Sequence, residues 1–339
     1  MPLVLLGAIA ALAAAALTSW WLAWNATRFG LVDLPNSRSS HRVPTARSGG
    51  IGIVFGVIVG FLVLTAMGIS IAQPLRVALA GGAAIAVLGM LDDIHAVPVR
   101  YRLLVQAIVA VAVVYELGGI VRIPLPPPLN PPLGWLAAPL AILWLMTVTN
   151  FYNFMDGIDG LAGGQAVASC IGVAVAGWAL GATQFAIILA GATCGFLMLN
   201  RPPARIFLGD VGSTALGFSL GVLPLLALSS ERPRAILAVT IGLALFLLDP
   251  IETLLRRTRK GHKPGVAHRS HSYQRIARAV GRHGTISASL VACGLLLAIA
   301  GGLSYRAHGP TWQLLALAAI AFGAEWIMAV RMTHAREHD

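Results

Sequence analysis

Long apolar stretches alternate with short polar segments along the whole chain. Runs of about twenty apolar residues are typical of helices that cross a membrane. The pattern predicts an all-α integral membrane protein with about 10–11 transmembrane helices in one domain over residues 1–339. The predicted spans are residues 3–24, 51–70, 75–91, 103–119, 135–149, 165–180, 183–199, 214–228, 235–255, 285–303 and 312–330.

Composition supports a membrane protein and gives no support to a nucleic-acid-binding one. Of all residues, 57% are hydrophobic and 11% are charged, with a mean hydropathy of +0.80. Soluble domains carry about 25% charged residues. The net charge of +11 comes from basic residues in the polar segments, and no helix-turn-helix or zinc-finger pattern accompanies it. The three cysteines lie inside apolar runs without paired spacing, so we interpret them as small core residues.

The basic residues predict which polar segments share one side of the membrane. Alternate segments, together with the C-terminus, hold 19 of the 24 Lys and Arg residues. Cytoplasmic loops carry this excess in membrane proteins, which predicts that these segments are cytoplasmic and the N-terminus is outside. All the polar motifs fall in them, so we expect one cytoplasmic site built from several catalytic loops. The segments are residues 25–50, 92–102, 150–164, 200–213 and 256–284.

The segment NFYNFMDGIDGLAGG, residues 150–164, lies between two apolar runs and is the strongest candidate. Asn150 and Asn153 are three residues apart, as are Asp156 and Asp159, which is a spacing that places each pair on one helix face. The Asp-Gly pairs predict that the helix breaks there. A carboxylate at mid-bilayer costs about 2.5–3.5 kcal/mol, so we expect these groups to face a pocket at the interface. An ordinary polar loop is the alternative.

Two further segments carry carboxylates. Asp92 and Asp93 follow the third span directly, and such hard oxygen ligands suit Mg²⁺. A plain pair at a helix end is the alternative. In FLGDVGS, residues 207–213, Asp210 is expected at a helix start, with Ser213 as its cap and exposed N–H groups able to hold a phosphate. A capped helix start without any chemistry is equally compatible with this segment.

The longest basic segment contains AHRSHSYQR, residues 267–275. His268, Arg269 and His271 suit a diphosphate, because arginine binds oxygens in a fork and histidine donates single hydrogen bonds. Zinc ligation by the histidines is an alternative that lacks convincing cysteine partners. Asp249 and Glu252 precede this segment and could join the site or pair with nearby arginines.

The first polar segment is also basic. Arg38 and His41 could bind the head group of an anionic lipid. Ordinary interfacial basic residues are the alternative.

Three segments together resemble one enzyme family. LDDIHAVPVRYRLLVQ, NFYNFMDGIDGLAGG and IFLGDVGSTALGF, in this order, resemble the polyprenyl-phosphate N-acetylhexosamine-1-phosphate transferases over residues 33–275. The resemblance implies transfer of a sugar-1-phosphate from a UDP-N-acetylhexosamine to undecaprenyl phosphate, releasing UMP, with Mg²⁺ or Mn²⁺.

By position, the resemblance also assigns roles. Asp92 and Asp93 match the motif linked to the acceptor, Asp156 and Asp159 fall in the catalytic stretch, and Asp210 matches the metal position. Asn153 joins Asp210 as a metal ligand. Together with the chemistry of the segments described above, this predicts substrate binding by Asn150, Asn153, His268, Arg269, His271, Arg38 and His41.

The histidine segment departs from the pattern of some family members. AHRSHSYQR lacks the adjacent histidines found in the translocase of cell-wall synthesis, and it resembles transferases that initiate O-antigen or related surface polysaccharides. The resemblance implies a bacterial inner-membrane location in the lipid bilayer, with a monomer or a homodimer left open. A multispan transporter of an anionic substrate is the alternative, and it predicts carboxylates near mid-bilayer.

Overall fold

The computed structural model describes residues 1–33, 44–123, 125, 129–228, 230–261, 270–281, 283–308 and 311–335. In this part of the chain a short antiparallel pair, β1 (Val32–Asp33) and β2 (Thr45–Ala46), accompanies thirteen α-helices. The helices are α1 (Pro2–Asn25), α2 (Gly50–Ala66), α3 (Gln73–His95), α4 (Val99–Leu117), α5 (Ala137–Phe154), α6 (Leu161–Ala176), α7 (Leu180–Asn200), α8 (Gly209–Val222), α9 (Arg232–Gly242), α10 (Ala244–Arg259), α11 (Ser272–Val280), α12 (His283–Ala307) and α13 (Thr311–Ala335).

The helices confirm an all-α, multi-pass membrane protein. Among the described residues, seven helical segments are long and apolar enough to cross a membrane, or eight if α9 and α10 together form one span. The apolar helices α2 and α6 are shorter, with 17 and 16 residues. Each of the predicted spans coincides with a helix or with the α9–α10 pair.

Two predictions about the C-terminal half were wrong. The span predicted at residues 235–255 is two helices, α9 and α10, bent by 74° at their junction. The basic segment after it was expected to be a loop, yet it contains the amphipathic helix α11. Apolar content alone cannot reveal a bend, because both helices remain apolar through the break.

Helix α8 is at the centre of the bundle. Every residue from Val211 to Val222 is buried, and α8 packs against α3, α5 and α2. A helix that is apolar on all sides is stable only when neighbours surround it. Asp210 lies in the first turn of α8, so it is at the end of the bundle, where the site opens.

The backbones of α3 and α8 approach each other closely at Gly89 and Asp210. A Cβ atom added at Gly89 would lie 2.4 Å from the carbonyl oxygen of Asp210. Only glycine allows the two backbones to come this near. The last turn of α3, with Asp92 and Asp93, consequently meets the first turn of α8.

We predict that Gly89→Ala lowers the thermal unfolding temperature, because the new methyl group forces α3 away from α8. Gly82→Ala is the matched control on the same helix, since its Cβ would come no closer than 3.8 Å to another atom. Alanine in place of a helical glycine otherwise stabilises by about 1 kcal/mol. Thermal unfolding of the detergent-purified variants compares them, and equal temperatures would contradict the tight approach.

Candidate active site

Asp93 is a buried carboxylate that caps α8 from another helix. Its side chain accepts hydrogen bonds from the backbone N–H groups of Asp210 at 3.0 Å and Val211 at 3.4 Å. The Ser48 hydroxyl donates a third at 2.9 Å. The first N–H groups of a helix have no partner within it, and they carry partial positive charge. Asp93 satisfies two of them, so its oxygens are engaged in holding α3, α8 and the segment before α2 together.

Asp92, its neighbour in sequence, faces a cation instead. One oxygen accepts the Val97 N–H at 2.7 Å and the other pairs with the Arg102 guanidinium. The same guanidinium lies 3.8 Å from a carboxylate oxygen of Asp210. Arg102 therefore bridges the end of α3 to the start of α8.

Asn153 on α5 reaches α8 from the other side. Its carbonyl oxygen accepts a hydrogen bond from the Ser213 hydroxyl at 2.7 Å, and that hydroxyl also contacts the Gly209 carbonyl oxygen. Ser213 was predicted to cap the helix, and this was wrong, because α8 begins at Gly209 and Ser213 lies one turn inside it. The capping group is the carboxylate of Asp93.

The expected helix break after Asn153 is present, between the end of α5 and the start of α6. Asp159 in this break accepts the Ala204 N–H at 2.9 Å, which ties the loop to the segment before α8. Asp156 is half-buried. Removal from water, together with the negative charges of Asp210, Asp93 and Asp159, raises the pKa of Asp156 to about 8.

Asn150 contacts α4 and its own helix. Its amide nitrogen donates to the Gln106 side-chain oxygen at 2.7 Å and to the Met146 carbonyl at 2.7 Å. The position therefore joins α5 to α4, and its role in substrate binding stays a prediction.

A second buried carboxylate, Asp249, holds the start of α11. His271 lies 3.0 Å from it through Nδ1, and its side chain is only 6% exposed. The hydroxyl of Tyr273 donates to the carbonyl oxygen of Phe154 at 3.2 Å, beside the Asp156 loop. His271 is thus brought to the site region but is covered there. The predicted residues His268, Arg269, Arg38 and His41 lie outside the described residues.

Five carboxylates thus converge from three segments; we call them the carboxylate cluster. Arg102 is the cation that contacts it among the ion pairs of the described residues. No three His, Cys, Asp or Glu side chains form a complete metal cage in this part of the chain. Mg²⁺ needs less, since one or two carboxylates suffice when phosphate oxygens and water complete its shell. The cluster comprises Asp92, Asp93, Asp156, Asp159 and Asp210.

Comparison with known proteins assigns the family. A profile of glycosyl transferase family 4 matches residues 75–228. The probable undecaprenyl-phosphate N-acetylglucosaminyl 1-phosphate transferase of Bacillus subtilis (strain 168) is 34% identical over 257 residues, which are 74% of this chain and 71% of that protein. The undecaprenyl-phosphate alpha-N-acetylglucosaminyl 1-phosphate transferases of Escherichia coli (strain K12) and Yersinia pestis are 31% and 30% identical, each over 88% of this chain and 83% of the relative. The chain belongs to the polyprenyl-phosphate N-acetylhexosamine-1-phosphate transferases.

The structure adds residues to this transferase site that sequence reasoning missed or gave another role. Arg102 was counted only as a topology signal, and Ser48 and Gln106 received no role. Arg102 and Gln106 belong to the segment LDDIHAVPVRYRLLVQ, so their position beside Asp92 and Asp93 was the available signal. Nothing in the sequence distinguishes Ser48 from the other serines of the first polar segment.

Asp93→Ala is predicted to destabilise the transferase by about 1–3 kcal/mol, because two N–H groups at the start of α8 lose their acceptor. Ser48→Ala is the control, since it removes one hydroxyl and leaves both N–H contacts in place. Thermal unfolding in EDTA without substrates measures both variants. A wild-type unfolding temperature for Asp93→Ala would contradict the capping role.

Asp156→Asn is predicted to raise the unfolding temperature of the metal-free transferase, and by more at pH 9 than at pH 5. The folded protein holds the Asp156 proton up to about pH 8, whereas the unfolded chain releases it near the ordinary value of 3.8. Asp156 therefore lowers the free energy of unfolding progressively as the pH rises between those values. Asparagine does not titrate, so the variant avoids this loss. Thermal unfolding across the pH range in EDTA tests this, with Glu231→Gln as a control outside the site. A variant less stable than wild type at pH 9 would contradict the raised pKa.

Proposed function

We propose that this protein transfers an N-acetylhexosamine-1-phosphate from a UDP-sugar to undecaprenyl phosphate and releases UMP. The single observation that carries the proposal is the carboxylate cluster around the first turn of α8, in a chain whose relatives are named for this transfer. A phosphoryl transfer brings several negative oxygens together, so it needs groups that position them and a cation that neutralises them.

Asp210 and Asn153 are the residues that would hold Mg²⁺, or Mn²⁺ in its place. Asp210 is part-exposed and lies 3.8 Å from the Arg102 guanidinium that pairs with Asp92, and Asn153 offers a neutral carbonyl oxygen next to Ser213 of α8. When bound, such a cation would neutralise charge on the diphosphate and on departing UMP. The fit rests on the excess of negative charge, which a single guanidinium does not balance.

The chain's own residues divide the remaining work. Arg102 has a part-exposed side chain at the opening, where a guanidinium can bind phosphate oxygens in a fork. Asp156 is assigned the proton of the lipid phosphate, because it lies in the helix break among the other carboxylates and its pKa, raised to about 8, makes its ionised form a stronger base than an ordinary carboxylate. Asp93 holds α8 in place, since its oxygens already accept hydrogen bonds from the first N–H groups of that helix.

The positions of these carboxylates favour the transferase over a transporter. Asp92 and Asp93 lie in the last turn of α3, Asp210 lies in the first turn of α8, and Asp156 lies in the break between helices. A transport pathway would place such groups near mid-bilayer. The excess of basic residues in the same set of loops supports a cytoplasmic site in a bacterial inner membrane, and the histidine segment favours surface-polysaccharide initiation.

The test is UMP release by the purified protein in proteoliposomes with undecaprenyl phosphate and a panel of UDP-N-acetylhexosamines. We expect UMP only when both substrates are present, and we expect one aminosugar to be preferred. EDTA should stop turnover and added Mg²⁺ or Mn²⁺ should restore it, because the carboxylates cannot shield the diphosphate themselves.

Asp210→Asn supplies the matched site variant, with Glu231→Gln as a carboxylate control that pairs with Arg234 elsewhere. The first should lose turnover at ordinary Mg²⁺ concentrations, and the second should keep it. Absence of UMP with every donor would refute the transferase proposal and favour transport. Undiminished turnover in EDTA would refute the metal assignment alone.

A further inference from the structure

Asp249 is a fully buried carboxylate on α10 in which four donors converge. One oxygen is 3.0 Å from the Thr253 hydroxyl, 3.0 Å from His271 Nδ1 and 3.1 Å from the Ser272 N–H. The other oxygen accepts the Tyr273 N–H at 3.1 Å. The side chain has no exposed surface. It therefore cannot touch a substrate, and every one of these contacts is internal.

The position of Asp249 follows from the bend between α9 and α10. Helix α10 departs by 74° from the direction of α9, and it contacts α11. Ser272 and Tyr273 open α11, and their N–H groups have no partner within that helix. A carboxylate supplies two acceptor oxygens and favourable charge at this end of a helix dipole. The start of α11 is thereby attached to α10 rather than left to the basic segment before it.

From α11 the contacts lead directly to the catalytic break. The Tyr273 hydroxyl donates to the Phe154 carbonyl at 3.2 Å, at the last residue of α5. The imidazole of His271 lies 6.4 Å from the Phe154 ring, measured between ring centroids. A Cβ atom at Gly157 would be 2.2 Å from the Tyr273 hydroxyl oxygen, so α11 packs against the residues on both sides of Asp156.

We propose that Asp249 is a positioning residue that acts through α11 to hold the Asp156 loop in place. The inference rests on the proposed function, because it takes Asp156 as the group that serves the transfer. Asp249 anchors His271, Ser272 and Tyr273, and Tyr273 in turn fixes the backbone at Phe154. Loss of the anchor should leave substrate affinity largely intact and reduce the rate of the chemical step.

The contacts also determine the tautomer of His271. An ionised carboxylate only accepts hydrogen bonds, so the ring nitrogen beside it, Nδ1, must carry a proton. In Asp249→Asn the amide can donate to Nδ1 instead, which moves the proton of the neutral ring to Nε2. This exchange is visible by ¹⁵N NMR of histidine-labelled protein, with His271→Gln to assign the resonance. It requires no substrate and no turnover.

The kinetic test is a double-mutant cycle of Asp249→Asn, Tyr273→Phe and the double variant in the UMP assay. We expect Asp249→Asn to lower kcat by about 10–100-fold, the range seen when the partner orienting a metal-site histidine is removed. The KM for the UDP-sugar should change less than about threefold. If the two residues act in one chain of contacts, the double variant should be no slower than the slower single variant. Thr258→Val is the control on α10, because the Thr258 hydroxyl donates to the Leu254 carbonyl within the same helix.

Each outcome decides the proposal. Multiplying effects in the double variant, or a KM effect larger than the kcat effect, would overturn it. So would a neutral wild-type His271 protonated at Nε2, which remains measurable even if Asp249→Asn fails to fold. A wild-type protein that releases no UMP would refute the proposed function, while the NMR result would still report on the anchor itself.

Discussion

The site depends on the pairing of buried carboxylates with the first N–H groups of helices elsewhere in the chain. Asp93 on α3 serves α8, and Asp249 on α10 serves α11. A buried carboxylate without hydrogen-bond partners costs free energy, and so do the unpaired N–H groups at a buried helix start. The same hydrogen bonds satisfy both. The first bond joins two helices far apart in sequence, and the second joins α10 to α11 across the basic segment, so the carboxylates also determine where the catalytic segments meet.

The remaining carboxylates are left less well compensated, and this is where chemistry becomes feasible. Arg102 pairs with Asp92 and approaches Asp210, but Asp156 meets the charges of its neighbours while removed from water. Groups whose proton affinity is displaced in this way are frequent at catalytic sites, because stability has been given up for reactivity. Asp93 and Asp249 each accept two backbone N–H groups at the start of a helix, whereas Asp156 is surrounded by like charges.

Much of this arrangement could be predicted from sequence, because apolar runs and Asp-Gly breaks are local signals. The helical spans, the break after Asn153 and the placement of Asp210 at a helix start all follow from such patterns. Asp92 and Asp93 could not be told apart, since adjacent residues on a helix face different neighbours only after packing. Ser213 was misjudged as a cap because the true cap, Asp93, is supplied by a different helix. The bond between Asp249 and α11 was invisible for the same reason, although both segments had been noted.

The separation between Asp93 and its partner has a consequence for biogenesis. The carboxylate and the Asp210 N–H are 117 residues apart. At the usual rate of about 5–20 residues per second, the ribosome needs about 6–23 s to cover that distance. During this interval α3 has been synthesised, but the Asp93 carboxylate lacks the N–H groups of α8. Because Asp93 lies in the last turn of α3 and not at mid-span, water can hydrogen-bond to it until α8 is present. The catalytic end of the protein therefore cannot close before α8 has been synthesised.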